Sequence, residues 1–307
     1  VSRRPDFLFV GHPRSGSGLL DSYLSGHPDI FMAKKELHYF GADLRYHDPP
    51  RTLENYLSFF RGAKAAHRRV GEASTWSLIS ERAAGELRAF SGDLRVVMLL
   101  RNPTSWLHSL HSHLVFSGDE DIASFEEALA AEPDRLAGRR LPPSSIPACA
   151  LHYMKNTDYA AQVGRYFDAL GRDRVHVILL DDLQKDPREQ YRRLLQFLGV
   201  RTEFPGMDAV MDASERSRNS NRGVRVGALR DWMIRPGPRR VLEGVDAAPF
   251  PGARLGLRVL RRVNLRFEDR PPMAAETKAR LTAELRPRVE ALEALLDRPL
   301  PAWKAAR

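Results

Sequence analysis

The stretch Phe7-Leu8-Phe9-Val10-Gly11-His12-Pro13-Arg14-Ser15-Gly16-Ser17-Gly18-Leu19-Leu20 decides the fold. Its four opening apolar residues, uninterrupted by polar ones, predict a strand buried on both faces. A turn containing Gly11, Gly16, Gly18 and the cation Arg14 follows. A helix is then predicted from about Gly16 to Ser25, with Leu19, Leu20, Tyr23 and Leu24 on one face. Gly26-His27-Pro28 stops it. A strand, a glycine turn and a helix in this order present backbone N–H groups to an anion. The helix dipole adds a favourable field, and glycine lets the ligand come close.

The nucleotide-hydrolase form of such a loop reads G-x-x-x-x-G-K-[ST]. Gly11 and Gly16 keep that spacing, but Ser17 stands at the lysine position and Gly18 at the metal-liganding hydroxyl. The cation has moved to mid-loop, at Arg14. Such a loop can hold a phosphate while lacking the usual magnesium ligand, which counts against a metal-dependent phosphoryl transferase.

Outward from the loop, short apolar runs alternate with helical patterns. Strands are predicted at Phe7–Val10, Arg69–Glu72, Arg95–Leu100 and Val175–Leu180. Helices are predicted from near Thr104 and over Tyr159–Leu170, Glu189–Leu198 and Ala275–Leu296. The alternation implies an α/β fold of three layers, α/β/α, around a central parallel sheet. Two stretches break the rhythm. Ser117–Ala150 holds one short helix, Ser124-Phe-Glu-Glu-Ala-Leu, and a Pro/Ser-rich run; Asp212–Pro272 is rich in Arg, Gly and Pro. Segments this long in a compact fold are lids, binding segments or disordered. No internal repeat is present.

The 307 residues suffice for a substantial core. The net charge of +9 points to an anionic partner, although arginine far outnumbers lysine and scattered solvated arginines account for most of it. Cys149 is the only cysteine, so there is no disulfide framework and no cysteine metal site. No apolar run approaches the roughly 18 residues that span a bilayer. No signal-peptide pattern opens the chain, which starts at Val1. The expectation is a cytoplasmic protein.

With these residues in view, the sequence resembles the sulfotransferases that use PAPS (3'-phosphoadenosine 5'-phosphosulfate), closest to the bacterial, tyrosylprotein and carbohydrate branch. Pro13-Arg14-Ser15-Gly16-Ser17-Gly18 is similar to that family's 5'-phosphosulfate loop. Arg101-Asn102-Pro103 running on to Ser109 is similar to its 3'-phosphate motif. Lys35-Glu36-Leu37-His38-Tyr39-Phe40 resembles its K-E-x-H-x-F segment, and Gly71-Glu72-Ala73-Ser74 a G-E-x-S strand end. Later landmarks include Asp182-Leu183, Asp186-Pro187, Phe197-Leu198-Gly199 and Leu300–Trp303. There are departures: Arg14 replaces the lysine of many relatives, and Ser17-Gly18 replaces a common Thr-Thr, leaving Gly18 only backbone contact. The donor loop of the cytosolic branch is loosely echoed by Arg222-Gly223 and Arg225.

The resemblance implies a P-loop NTPase-like fold in a single domain over 1–307, with lid or acceptor-binding insertions at 117–150 and 212–272. It implies PAPS as donor, 3',5'-adenosine bisphosphate as product and no metal. Arg14 and the N–H groups of Ser15, Gly16, Ser17 and Gly18, beside Pro13, would hold the 5'-phosphate as charge develops on the leaving group. Arg101 and Ser109 would grip the 3'-phosphate; Arg222 and Gly223 are weaker donor contacts. Glu36 is the candidate base for the acceptor hydroxyl, with His38 next to it. The acceptor is expected to be a hydroxylated small molecule or carbohydrate.

Other features invite readings of their own. His108, His111 and His113 suggest a metal, but no carboxylate stands at matching spacing, and they are expected to be surface or lid histidines. Asp181-Asp182 resembles a Walker B end, and is expected to cap the strand edge or anchor the next turn. The basic run Arg254–Arg266 is expected to be a solvated face, since no nucleic-acid motif accompanies it. The competing functions are a P-loop-like kinase or hydrolase and a basic nucleic-acid-binding protein.

Overall fold

Phe7, Leu8, Phe9 and Val10 have no exposed surface, as a strand covered on both faces requires. In the computed structural model, which describes residues 3–33, 36–47, 49–142, 147–216, 222–224, 265–267 and 271–305, they form β1 (Phe7–Gly11). With β2 (Ile30–Met32), β3 (Arg69–Ala73), β4 (Arg95–Leu100) and β5 (Val175–Leu179) they build one sheet in the order β2-β3-β1-β4-β5. Every neighbouring pair is parallel, with Phe9 opposite Ala73 on one side and Val97 on the other. Helices flank the sheet, as the α/β reading predicts.

The order places β1 centrally: the chain leaves it for one edge at β2, returns beside it as β3, then crosses to β4. Loops at the carboxyl ends of β1, β3 and β4 therefore gather where ligands bind open parallel sheets. Helix α1 (Ser17–Ser25) follows β1 and buries Leu20, Tyr23 and Leu24 against Phe7 and Phe9. The chain then passes α2 (Leu53–Ser58), α3 (Ala83–Phe90) and α4 (Pro103–Ser117). In α4 Pro103 leads, and Asn102 Oδ1 accepts the Ser105 N–H at 3.2 Å.

Several elements escape the sequence pattern, among them a short strand and a short helix. β2 is a three-residue edge strand, too short for a periodicity. Leu180, expected to end the fourth predicted strand, instead opens a helix, because apolar residues continue into the core across that junction.

The chain divides into two compact units. The first comprises residues 1–106, 156–218 and 279–307, and holds the sheet. The second comprises 107–155 and 219–278. In the second, α5 (Phe125–Ala130) starts at the Ser124 cap, and α6 (Glu132–Leu136) follows where no helix was predicted. Its Arg135 is sealed from solvent in a two-pronged pair with Glu120, both contacts 2.6 Å, and Tyr153 donates to Glu120 at 2.8 Å. Each charge supplies the other's partner, which makes burying both tolerable.

In the first unit, α7 (Tyr159–Leu170) is followed by β5, α8 (Leu180–Lys185), α9 (Pro187–Leu198) and α10 (Met207–Arg216). β6 (Arg222–Val224) and β7 (Leu265–Phe267) pair antiparallel in the second unit. The last helix, α11 (Ala275–Leu296), buries Leu281, Leu285, Val289 and Leu292 along one stripe. Among the described residues no helix is long and apolar enough to cross a membrane.

Candidate active site

The turn after β1 is fixed from beneath. His12 is wholly buried, stacks on Trp106 with ring centroids 4.5 Å apart, and shares a 2.7 Å hydrogen bond with Gln162 Oε1. The Gln162 amide donates to the Asn156 carbonyl at 2.9 Å, so its oxygen is left to accept from His12 Nε2. Burial pulls the His12 pKa down to about 3, so the ring is neutral and serves as a pin, not a base. Gly16 caps α1 at φ 99, in the left-handed region. A Cβ there would lie 2.9 Å from a Leu180 methyl and 3.2 Å from a Leu99 methyl. Glycine is demanded twice, by conformation and by the close approach of the strand ends.

No side chain caps α1 and no acidic residue stands in its first turn. Leu19 N–H bonds the Gly16 carbonyl at 3.0 Å, and the dipole of α1 gives this end a field that favours an anion. Ser15 N–H closes the turn onto the His12 carbonyl at 3.3 Å. Arg14 takes the left-handed region at φ 66, uncommon for a side chain of that kind and typical of residues held at functional sites. Gly18 is exposed at the rim, with nothing within 4 Å of where its Cβ would stand.

Arg101, at the end of β4, reaches this turn. Its Nη1 donates to the Arg14 carbonyl at 3.0 Å and its Nε to Ser105 Oγ at 3.0 Å. Trp106 Nε1 donates to the Pro13 carbonyl at 2.8 Å. The two predicted phosphate motifs are thus joined in space. Burial lowers the Arg101 pKa, yet a guanidinium stays charged. Ser109, two turns into α4, is fully buried and belongs to the second unit.

Beside the loop, β3 ends in Ser74, whose N–H donates to the Phe9 carbonyl at 3.1 Å. Ser74 Oγ accepts the N–H of Leu37 at 3.2 Å and of His38 at 2.9 Å. Both hydroxyl lone pairs are taken, so its one proton goes to Glu72 Oε2 at 2.7 Å. Glu72 is wholly buried; burial, with the Glu36 and Asp21 charges, pushes its pKa up to about 8 against the hydrogen bond from Ser74. Burial thus favours its protonated form.

Glu36 itself is held by Thr75, which donates its hydroxyl at 3.0 Å and its N–H at 3.3 Å to Oε2. His38 Nε2 lies 3.1 Å from the same oxygen, and its ring stacks on Tyr46 at 3.5 Å. A cleft of about 490 Å³ opens on His38, Tyr39, Arg45, Tyr46, His47 and Arg51.

Residues 4–221 match the family model described as Sulfotransferase domain. This chain belongs to the sulfotransferase family. Among solved structures it is similar to a sulfotransferase from Alicyclobacillus acidocaldarius, 28% identical, with a TM-score of 0.70, covering 99% of this chain and 100% of that one. Among curated proteins it is similar to the Caenorhabditis briggsae bifunctional heparan sulfate N-deacetylase/N-sulfotransferase 1, 24% identical over 211 residues. That match takes in 66% of this chain and 23% of the relative's length, so this sulfotransferase spans about a quarter of that protein.

Several residues prove to have other duties than the sequence suggested. Asp181 accepts from Trp303 Nε1 at 2.5 Å, and Asp182 holds both prongs of Arg298 at 2.5 and 2.7 Å. They anchor the C-terminal segment of the sulfotransferase from the first turn of α8, not from a strand edge. His111, expected at the surface or in a lid, is buried, and its Nε2 faces the Ile122 carbonyl at 2.9 Å. Arg222 and Gly223 lie in β6, opposite Phe267 and Arg266. Lys35, Arg225 and the basic run up to Asn264 fall outside the described residues.

Sequence reasoning missed Trp106 and Thr75, and gave Ser105 and His12 no task of their own. Ser74 and Glu72 were visible only as a strand-end motif without a task. The signal for Trp106 and Ser105 was their place in the first turn of the helix after Arg101; for Thr75, its adjacency to the Ser74 strand end.

Proposed function

We propose that this sulfotransferase moves the sulfuryl group of PAPS to a hydroxyl of a small-molecule or carbohydrate acceptor by in-line displacement. The observation that carries the reading is the meeting of Arg101 with the Arg14 turn, which unites two cationic phosphate motifs at the carboxyl ends of adjacent parallel strands. Arg14 and the first-turn N–H groups of α1 would hold the 5'-phosphate and offset charge as the sulfur–oxygen bond to it breaks. Arg101 would hold the 3'-phosphate.

Glu36 would take the acceptor proton, oriented by Thr75 and partnered by His38. The cleft beside His38 has the volume of a small-molecule site, roughly 300–1,000 Å³. Its arginines and aromatic rings would seat a hydroxylated acceptor.

The kinase reading is less supported, because both aspartates at the Walker B-like position are engaged by Trp303 and Arg298. Thermal-shift titration separates the two. 3',5'-Adenosine bisphosphate is expected to raise Tm at concentrations where ATP with magnesium does little, and PAPS turnover is expected to survive a chelator. Stabilisation by ATP–magnesium alone, or activity restored only by magnesium, would overturn the proposal.

A further inference from the structure

The guanidinium of Arg101 is engaged with the backbone of the other phosphate motif. Of its five N–H donors, one on Nε meets Ser105 Oγ and one on Nη1 meets the Arg14 carbonyl, each at 3.0 Å, among the described residues. Ser105 Oγ in turn donates to the Asn102 carbonyl at 3.0 Å, so the fork is braced against the start of α4. Trp106, from the same turn, takes the Pro13 carbonyl. Two successive carbonyls of the loop are thus drawn to one side by the segment Arg101–Trp106.

A trans peptide aims its N–H opposite its C=O. Tying the Pro13 carbonyl to Trp106 turns the Arg14 N–H the other way, and tying the Arg14 carbonyl directs the Ser15 N–H, which closes on His12. These contacts also hold Arg14 at φ 66, a conformation its side chain disfavours. Without them the turn would relax, and Arg14 with it.

We propose that Arg101 is a positioning residue for the 5'-phosphate loop as well as a 3'-phosphate ligand, so that one side chain couples the two phosphate sites. The proposal rests on the PAPS reading above. Its consequence is specific: loss of Arg101 and loss of the ligand's 3'-phosphate are not equivalent. A residue that met only the 3'-phosphate would be invisible to a ligand lacking that group.

The test is calorimetric titration of the parent, Arg101→Lys, Arg101→Ala and Ser105→Ala proteins with 3',5'-adenosine bisphosphate and with adenosine 5'-monophosphate. Replacing Arg101 is expected to weaken the monophosphate by about tenfold or more, the effect of losing one hydrogen bond to a charged group. Ser105→Ala, which keeps the charge and removes the brace, is expected to weaken both ligands by a similar, smaller factor. Lysine cannot span Ser105 and the Arg14 carbonyl as a fork does, so Arg101→Lys should recover part of the bisphosphate affinity and little of the monophosphate affinity.

A second readout needs no ligand. The amide resonances of Gly16 and Gly18 should shift in Arg101→Lys and Ser105→Ala while Tm stays near the parent value; a role confined to fold stability would lower Tm and leave those amides in place. Unchanged monophosphate affinity in the folded Arg101 variants, or unmoved glycine amides, overturns the coupling. Failure of the parent to bind the bisphosphate overturns the donor reading instead, so the two failures are distinguishable. If Arg101→Ala does not fold, the lysine and Ser105 variants decide.

Discussion

The proposed phosphate loop and the Glu36–His38 segment sit beside the carboxyl ends of neighbouring strands, β1 and β3, yet they are held by different means. The loop is a backbone device: its carbonyls go to Arg101 and Trp106, and its glycine is fixed by φ and by two leucine methyls. The Glu36–His38 segment is a side-chain device, hung on Ser74 and Thr75, with Glu72 buried behind and its pKa pushed up. A backbone device resists chemical change but not steric change. A side-chain device answers to protonation.

The largest separation of the two halves should come from Glu36→Gln. Glutamine keeps the shape and the Thr75 contact but cannot take a proton at neutral pH. Turnover with PAPS and an alcohol acceptor is expected to fall about 100- to 10,000-fold. Affinity for 3',5'-adenosine bisphosphate should stay near the parent value, because the loop does not depend on Glu36. Nearly full turnover in the variant would move the base assignment to His38.

Glu72 sharpens the contrast through pH. Its folded-state pKa of about 8 lies above the ordinary 4.5, so the folded protein binds the extra proton between those values. Glu72 therefore adds nothing unfavourable below pH 4.5, and stability is lost as pH rises toward 8. The slope is about 1.4 kcal/mol per pH unit where the group is fully linked. Glu72→Gln carries no such charge, so denaturant unfolding should show the variant gaining on the parent steadily from pH 5 to 8. A difference that stays flat across that range would mean Glu72 is ionised in place.

This contrast also explains what the sequence reveals. The loop was legible because its determinants are local: four apolar residues, glycines at fixed offsets and a helix within one stretch. Arg101 was legible by its place at a strand end. The anchors of Glu36 were not, because Ser74 and Thr75 are distant in sequence and ordinary in type, and become partners only when β2 lies beside β3. Asp181 and Asp182 were misread for the same reason, since their partners Trp303 and Arg298 come from the far end of the chain. Nothing in the local sequence pairs Glu120 with Arg135; α6 brings them together in the second unit. Local pattern fixes backbone; long-range polar pairing needs the fold.

The smallest effects come from two glycines of the loop, and they test whether it is as rigid as its contacts imply. At Gly16, alanine must adopt φ 99 and push its Cβ to 2.9 Å from Leu180, so Gly16→Ala should lose about 1–3 kcal/mol of stability by denaturant unfolding. At Gly18, in the first turn of α1, alanine meets open space and carries the better helix propensity. Gly18→Ala should gain about 0.5–1 kcal/mol. The same methyl would stand where an anion approaches the first-turn amides, so bisphosphate binding should weaken while Tm rises. That opposition, a more stable protein that binds less, is what a glycine kept for ligand access predicts. If Gly18→Ala gains stability and binds unchanged, access is provided elsewhere on the turn. If it loses stability, the helix end is held by contacts other than those that fix Gly16.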